Sequence, residues 1–520
     1  MCAAILALPL AAAWGIGHAR VDDYLGPHRA TFAANYSGEI QLDIGPIGNA
    51  YLPSPAAPIG LRVTVGGVGG QRAESLSSLF SDKTLAAYAS LYSEPDEALS
   101  GVVERLEIDA LIGGLVAEGV LLTLFAVWAT RRQVLSTWLS GQLTGRRVIA
   151  AYLAVMALVL GSILVPRESD GARIPVAVAY RTRFADLRVD SAMLADLLDR
   201  GIKGVRLLTE RQQKALRTYI NDTTDSLAQQ LDRLPQPRTG ETMILGFSDL
   251  HCNRATTELI TRLERATSPA VVLSSGDDTV NGAAVERGCI SREAAITERA
   301  PFVVATGNHD SDVTEAQMKS DGIAVLDGAI VEAGPLQVLG DDDPEHQATF
   351  SVERTSERQE SEEQLAQRLM DVARGRQVDL IVVHQPAASG IIIGDPDPPA
   401  RLVLWGHMHA ERGPTVIMHE DGSWTVGMQQ GTAGGVREPI FTSFSTPFSP
   451  PLISADVYFY FRDDATGLIT GVQPVHFLPE AKVVIEKRVS TGDLAQLPAE
   501  TRIQLGGGTP SPSASGTPAR

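Results

Sequence analysis

From Met243 to about residue 410 the chain alternates short β-rich apolar runs with helical stretches, and that rhythm restricts it to layered α/β folds. The runs are MILGFS, AVVLSSG, PFVVATG, LQVLG, DLIVVHQ and RLVLWGH, separated by helical stretches such as RATTELITRLERA and SEEQLAQRLMDVARG. After Pro414 the pattern turns to hairpins, PTVIMHEDGSWTVGMQQG and ADVYFYFRDDATGLITGVQPVHFL. The closing GGGTPSPSASGTPAR is a Gly/Ser/Pro tail that cannot build a core and is expected to be disordered.

Five polar motifs stand where apolar runs end: Asp249-Leu250-His251, Gly276-Asp277-Asp278, Gly307-Asn308-His309-Asp310, His384, and Gly406-His407-Met408-His409. The carboxyl ends of strands are where open α/β sheets bind ligands, because a short side chain there projects from a rigid base. Each motif alone is weak. Together they hold five of the ten His in the chain, each set directly behind an apolar run.

Setting His309 aside, Asp249, His251, Asp277, Asn308, His384, His407 and His409 form an N/O donor set without thiolate, suited to Mn, Fe or Zn. Seven donors exceed one tetrahedral site and suit two divalent ions sharing a carboxylate. Two such ions, two carboxylates and one bridging hydroxide leave about one positive charge, which attracts a phosphate anion.

The motif series resembles the calcineurin-like metallophosphoesterase family over roughly residues 243–480. The resemblance implies a four-layer α/β fold, two mixed sheets face to face with flanking helices. It implies that Asp249, His251 and His409 hold one ion, that Asn308, His384 and His407 hold the other, and that Asp277 bridges them. A metal-bridging hydroxide would attack phosphorus. His309 would be the acid facing the leaving group, with Asp310 orienting it. Two departures stand out. The second motif has Val280 where the family has Asp or Asn, and the third ends in Asp310 rather than Glu. In this fold the first two motif loops converge, so Cys252 and Cys289 are expected to form a disulfide.

The N-terminal half reads differently. Met1–Gly17 is uncharged and is read as a signal anchor, or as a signal peptide cut after Gly17-His18-Ala19. Ala110–Thr130 carries a single ionisable group, Glu118, and Val148–Val165 carries none. Both are long enough to cross a hydrocarbon layer of roughly 30 Å. The connector holds Arg131, Arg132, Arg146 and Arg147 and no acid, which places it in the cytoplasm. GEIQLDIG, IGLRVTVGG and the alternating 172–189 stretch are expected to share a small β-rich region. Thr209–Leu234 has helical period, with Leu216, Tyr219, Ile220, Leu227 and Leu231 on one apolar face.

The expected organisation is therefore a signal segment (1–19), an extracytoplasmic β-rich region (20–108), a transmembrane hairpin (109–165) with cytoplasmic loop 131–147, and a connector (166–240). A metallophosphoesterase domain (241–482) and a tail (483–520) follow. The expected activity is that of a multi-pass membrane protein with its catalytic domain outside, hydrolysing phosphomonoesters or phosphodiesters. Its alternatives are a pyrophosphate-bond hydrolase acting on nucleotide-linked lipids, and a non-catalytic sensor or scaffold. A net charge of −18, from 44 Lys+Arg against 62 Asp+Glu, argues against bulk nucleic-acid binding. Lys is a small minority of the basic residues, and with the Ala-rich composition that hints at a GC-rich bacterial source.

Asp341, Asp342 and Asp343 read as a solvated turn, and Glu357–Glu363 as a solvated helix face. His346, His419 and His476 carry no expected chemistry.

Overall fold

The alternation in GEIQLDIG and IGLRVTVGG becomes paired strands in the computed structural model. It describes residues 2–25, 28–68, 95–135, 173–176, 186–280, 282, 286–345, 360–376, 378–436, 451–499 and 501. The chain forms two compact units, Met1–Leu79 with Leu91–Leu207, and Phe80–Ser90 with Leu208–Arg520.

The first unit holds α1 (Cys2–His18), β1 (Arg20–Leu25), β2 (His28–Asn35), β3 (Glu39–Asp43), β4 (Asn49–Pro53), β5 (Gly60–Val68), α2 (Pro95–Leu135), β6 (Ile174–Pro175) and β7 (Arg188–Val189). The strands join one sheet in the order β1-β2-β5-β3-β4-β7-β6. Short pieces of the 172–189 stretch therefore do enter this sheet, while 177–185 lie outside the described residues.

Helices α1 and α2 touch through small residues. A Cβ on Gly15 would stand 2.1 Å from the Ala110 carbonyl oxygen, so only glycine permits the approach. The Arg20 amide donates to Asp109 at 2.9 Å, and Arg105 pairs with buried Asp23 at 3.0 Å. Among the described residues no helix is long and apolar enough to cross a membrane. Helix α1 has 17 residues, about 25 Å at 1.5 Å per residue, short of the roughly 20 residues a span needs. The Ala110–Thr130 run lies inside α2, but several of its last side chains, and the whole of Val148–Val165, lie outside the described residues.

Helix α3 (Ala192–Ala228) buries Leu216, Tyr219, Ile220 and Leu227 as the period predicts, but Leu231 falls in a following 3-10 turn and is 56% exposed. The second unit continues with β8 (Glu241–Phe247), α4 (Arg254–Thr267), β9 (Val271–Ser274), α5 (Arg287–Ala294), β10 (Phe302–Val304), α6 (Asp312–Ser320) and β11 (Ala324–Val325). Next come β12 (Val331–Ala333), β13 (Leu336–Gly340), α7 (Glu362–Ala373), β14 (Leu380–Val382), α8 (Pro386–Gly394), β15 (Leu402–Trp405), β16 (Arg412–Met418) and β17 (Trp424–Gln429). The last strands are β18 (Ala455–Asp463), β19 (Ile469–Phe477), β20 (Val483–Ile485) and β21 (Val489–Ser490).

Two mixed sheets result. One runs β11-β10-β9-β8-β18-β19-β20, with β21 beside β19; the other runs β12-β13-β14-β15-β17-β16. Their facing sides share one core, with Ile244, Leu273 and Val303 meeting Val338, Leu380 and Leu404. The outer side of the first sheet packs on Leu259, Ile290 and Met318, and that of the second on Leu365, Leu369 and Ile392. Along β14 the two-residue period sends Leu380 and Val382 between the sheets and Ile381 to the helices. Burial on both sides is why these strands read as unbroken apolar runs. Strands β8, β9 and β10 are parallel to one another, as are β14 and β15. Within each group the carboxyl ends therefore emerge on one edge.

Candidate metal centre

Each motif leaves its strand through a tight turn. Among the described non-glycine residues with positive φ are Asp249 (55°), His251 (46°), Asp277 (58°), His407 (70°) and His409 (53°). L-residues avoid this left-handed region, and such strain persists where the surroundings over-determine it, as at functional sites. Two glycines make the close approach possible. A Cβ on Gly307 would stand 2.3 Å from Asp277 Oδ1, and one on Gly406 would stand 2.4 Å from Asp249 Oδ2.

The turns bring the seven expected ligands together. Asp249, His251 and His409 form one group able to hold an ion, and Asp277, His384 and His407 form another. In the first, His409 Nε2 lies 3.2 Å from Asp249 Oδ1 and 3.2 Å from His251 Nε2. In the second, His384 Nε2 lies 3.2 Å from Asp277 Oδ2. Asn308 Oδ1 joins it, 3.0 Å from His384 Nε2 and 3.1 Å from His407 Nδ1. Asp277 Oδ2 also lies 3.9 Å from His251 Nε2, so one carboxylate oxygen reaches both groups.

The outer contacts determine which ring nitrogens face inward. His251 Nδ1 donates to the Thr279 carbonyl at 3.1 Å, His384 Nδ1 to Ser275 at 2.7 Å and His409 Nδ1 to Val436 at 3.3 Å. A carbonyl only accepts, so Nδ1 carries the proton and the Nε2 lone pair points into the centre. Two such lone pairs 3.2 Å apart repel unless a cation stands between them. Asp249 Oδ1 is buried without a hydrogen-bond partner, a second sign that a cation belongs here. The donor set thus fits two divalent ions.

Burial opposes ionisation of Asp277, but the positive charge of protonated His384 and His309 outweighs it and holds the carboxyl well below the usual range. Asp277 and Asp249 in turn raise His384 and His409 against burial. The carboxylates thus draw protons onto these rings, the positive charge that divalent ions would supply in their place. Burial pushes His251 down to about 3 against the pull of Asp277, which keeps it in the neutral, ligating form.

His309 stands beside these groups. Its backbone N–H donates to Asp277 Oδ1 at 2.8 Å, and its ring meets His251 edge-on at 5.2 Å. Its Nδ1 donates to the Val280 carbonyl at 2.8 Å, which leaves Nε2 as the nitrogen available for proton transfer. Asp310 was expected to orient this ring, and it does not. Its carboxylate accepts from the amides of Asp277 (3.0 Å), Thr279 (2.9 Å) and Gly307 (2.9 Å) and from the Thr279 hydroxyl (2.8 Å). Asp310 is a clamp on the Asp277 loop, because a buried carboxylate is satisfied by the N–H groups of the turns around it.

Sequence reasoning missed the loop after β17. Thr432 Oγ1 donates to the Asp249 carbonyl (2.9 Å), Ala433 N to Ser248 (2.7 Å) and Gly434 N to Asp249 (2.8 Å), and Asn253 Nδ2 returns a bond to Gly434 (2.6 Å). The Gly-rich GTAGGV behind an apolar run was the available signal. The expected disulfide is present. Cys252 and Cys289 are joined with a Cα–Cα distance of 5.1 Å, tying the His251 turn to α5.

Other acidic residues depart from expectation. Asp341 (1% exposed) and Asp343 (2%) are buried rather than in a solvated turn. Glu362 is buried, and Glu360 pairs with Arg368; 357–359 and His346 lie outside the described residues. His476 joins Glu411 and Asp456 in a third group able to hold an ion. Its ring nitrogens lie 2.8 Å from Asp456 and 3.5 Å from Glu486, and these carboxylates raise its pKa against the effect of burial. His419 lies between Asp397 and Thr425, whose hydroxyl is fully buried and cannot meet a substrate.

Residues 242–411 match the family model described as calcineurin-like phosphoesterase. No curated protein matches the chain. Among solved structures, Haemophilus influenzae NAD nucleotidase (NadN) aligns at 13% identity over 48% of this chain and 50% of that one, with a TM-score of 0.30. The chain thus spans half the length of that relative. A metallophosphoesterase from Sphaerobacter thermophilus aligns at 16% identity over 51% of this chain and 99% of that one, with a TM-score of 0.22.

Proposed function

Since residues 242–411 are a calcineurin-like phosphoesterase domain, we propose that this chain is a binuclear-metal hydrolase of phosphomonoesters or phosphodiesters. The observation that carries the reading is the pair of donor groups sharing Asp277, whose Oδ2 lies 3.2 Å from His384 Nε2 and 3.9 Å from His251 Nε2. Asp249, His251 and His409 would hold one ion, Asn308, His384 and His407 the other, and Asp277 both. Bound there, the ions supply a lowered water pKa and positive charge against the phosphoryl oxygens. The protein orients the ligands through the carbonyls of Thr279, Ser275 and Val436. His309 holds a proton on Nε2 for the leaving alkoxide while its Nδ1–H stays on Val280. Metal analysis with turnover of an aryl phosphate monoester and diester by the purified protein tests this. Two metal equivalents and Asp277-dependent turnover are expected; full metal content with no ester hydrolysis would overturn it.

We propose further that the first unit is membrane-integrated, with the phosphoesterase domain outside the cytoplasm. The support is an inverted surface. Small residues lie between α1 and α2, while Leu8, Trp14, Leu111, Leu115, Val116 and Leu124 are more than half exposed. Water disfavours such a patch and lipid favours it. A reporter active only in the cytoplasm should work when fused within 133–145 and be silent after Arg520. The reverse pattern, or recovery of the chain in the soluble fraction, would refute the placement.

A further inference from the structure

Two consecutive carbonyls hold two of the rings at the metal centre. The Thr279 carbonyl accepts from His251 Nδ1 at 3.1 Å, and the Val280 carbonyl accepts from His309 Nδ1 at 2.8 Å. The two rings meet edge-on at 5.2 Å. One short strip of backbone therefore sets the aim of both. Val280 is 1% exposed, and its apolar side chain makes no hydrogen bond that could fix the strip.

The strip is gripped instead through its amides. Asp310 accepts from the Thr279 N–H at 2.9 Å, and Glu286 Oε1 accepts from the Val280 N–H at 3.0 Å. Glu286 is 7% exposed. It stands at the N-cap of α5, yet its side chain does not cap that helix. Residues favoured at an N-cap are short ones that bond the first amides of their own helix. The longer Glu286 reaches back to Val280.

The Val280 N–H and the Thr279 carbonyl belong to one planar peptide unit. A carboxylate that fixes the N–H on one side fixes the direction of the carbonyl on the other, toward His251. A charged acceptor makes the stronger hydrogen bond, and it polarises the peptide so that its carbonyl accepts more strongly. The partner of Nδ1–H in turn fixes the tautomer and basicity of a ligating imidazole. Helix α5 does not depend on this bond for its own place. Cys289 ties it to Cys252, the residue after His251, and Ile290 is fully buried. Losing the Glu286 carboxylate thus removes the grip on the strip and leaves the helix anchored.

We propose that Glu286 is a positioning residue of the metal centre. Through the Thr279–Val280 peptide it aims His251 at the ion shared with Asp249 and His409. Through the Val280 carbonyl it keeps the His309 proton on Nδ1 and leaves Nε2 toward the leaving group. The role rests on the binuclear reading where it concerns the ion, whereas the hold on the two rings is a property of the metal-free protein.

The test compares full-length wild type, E286Q and E286A. Nitrogen NMR of the metal-free protein, carrying isotope-labelled histidine at mildly alkaline pH, reads which ring nitrogen bears the proton. Wild type should show His251 and His309 as Nδ1–H. So should E286Q, whose amide oxygen still accepts from Val280. E286A should show mixed tautomers at both rings. Calorimetric titration with Mn²⁺ follows. E286A should bind one ion about tenfold more weakly, the lower end of the loss when a ligating histidine loses its hydrogen-bond partner, and should bind the other as wild type does. In an H409A background, where that first ion is already lost, E286A should change nothing further. Wild-type tautomers in E286A would overturn the positioning role. So would an equal weakening of both ions with a lowered melting temperature in E286A and E286Q alike, the mark of a merely structural carboxylate. A wild type that takes up no second ion would refute the binuclear reading, and the tautomers would still decide the role of Glu286.

Discussion

Replacing Cys252 and Cys289 together by alanine should cost this protein about 4 kcal/mol. The two cysteines are 37 residues apart in sequence. Closing a loop of that length removes roughly 13 cal/mol/K of chain entropy from the unfolded state, about 4 kcal/mol at 25 °C. Cys252 is 4% exposed, so alanine rather than serine avoids adding a buried hydroxyl without a partner. For a domain of about 150–250 residues, 1 kcal/mol shifts the melting temperature by roughly 2–4 °C, so a drop on the order of 10 °C is expected. The assay is urea and thermal unfolding of the oxidised wild type and the C252A/C289A variant, with and without reductant. Reductant should lower wild type to the level of the variant and leave the variant unchanged. Thiol titration of unfolded, non-reduced wild type should find only Cys2. Three free thiols would refute the bridge. An oxidised wild type and a double variant within about 1 kcal/mol of each other would refute the loop-entropy reasoning, which carries the whole of the predicted effect.

Asp277→Asn should lose more metal than His409→Ala, because Asp277 reaches both donor groups and His409 only one; equal metal content in wild type and the Asp277 variant, by elemental analysis, would remove the bridging role. His309→Ala should retain its metals and lose most activity on esters with poor leaving groups, but little on nitrophenyl esters, whose leaving group departs without a proton. A uniform loss across leaving groups would contradict the acid role. Glu241 is held down to about 2, first by its hydrogen bonds from Arg488 and then by the Arg238 amide and Thr470, with burial opposing. A depressed carboxyl stabilises the fold above its unfolded value near 4.5, and that contribution disappears as pH falls toward 2. Glu241→Gln should thus cost about 3 kcal/mol at pH 7, with the gap to wild type closing in acid unfolding curves below pH 4; a gap independent of pH would point to packing instead.

What the amino-acid sequence determined by itself was local. A strand buried on both sides must be apolar throughout, so β8, β9, β10, β14 and β15 announce themselves, and the polar residue ending each run is legible as a candidate ligand. The cysteine pairing was also within reach once the first two motif loops were expected to converge. Contacts across many residues were not legible. Strand β18 lies beside β8 although some two hundred residues separate them, and nothing in either run names the other. The loop after β17 packs under Asp249 through backbone groups, which every residue type carries. Asp310 read as a partner for its neighbour His309, but its side chain turns to the amides of a loop some thirty residues earlier. Asp343 and Glu362 read as solvated because Asp and Glu usually are. Only the packing of α7 against the end of β13 removed them from water, since burial is decided by what the rest of the chain places on top of a residue and not by the residue itself.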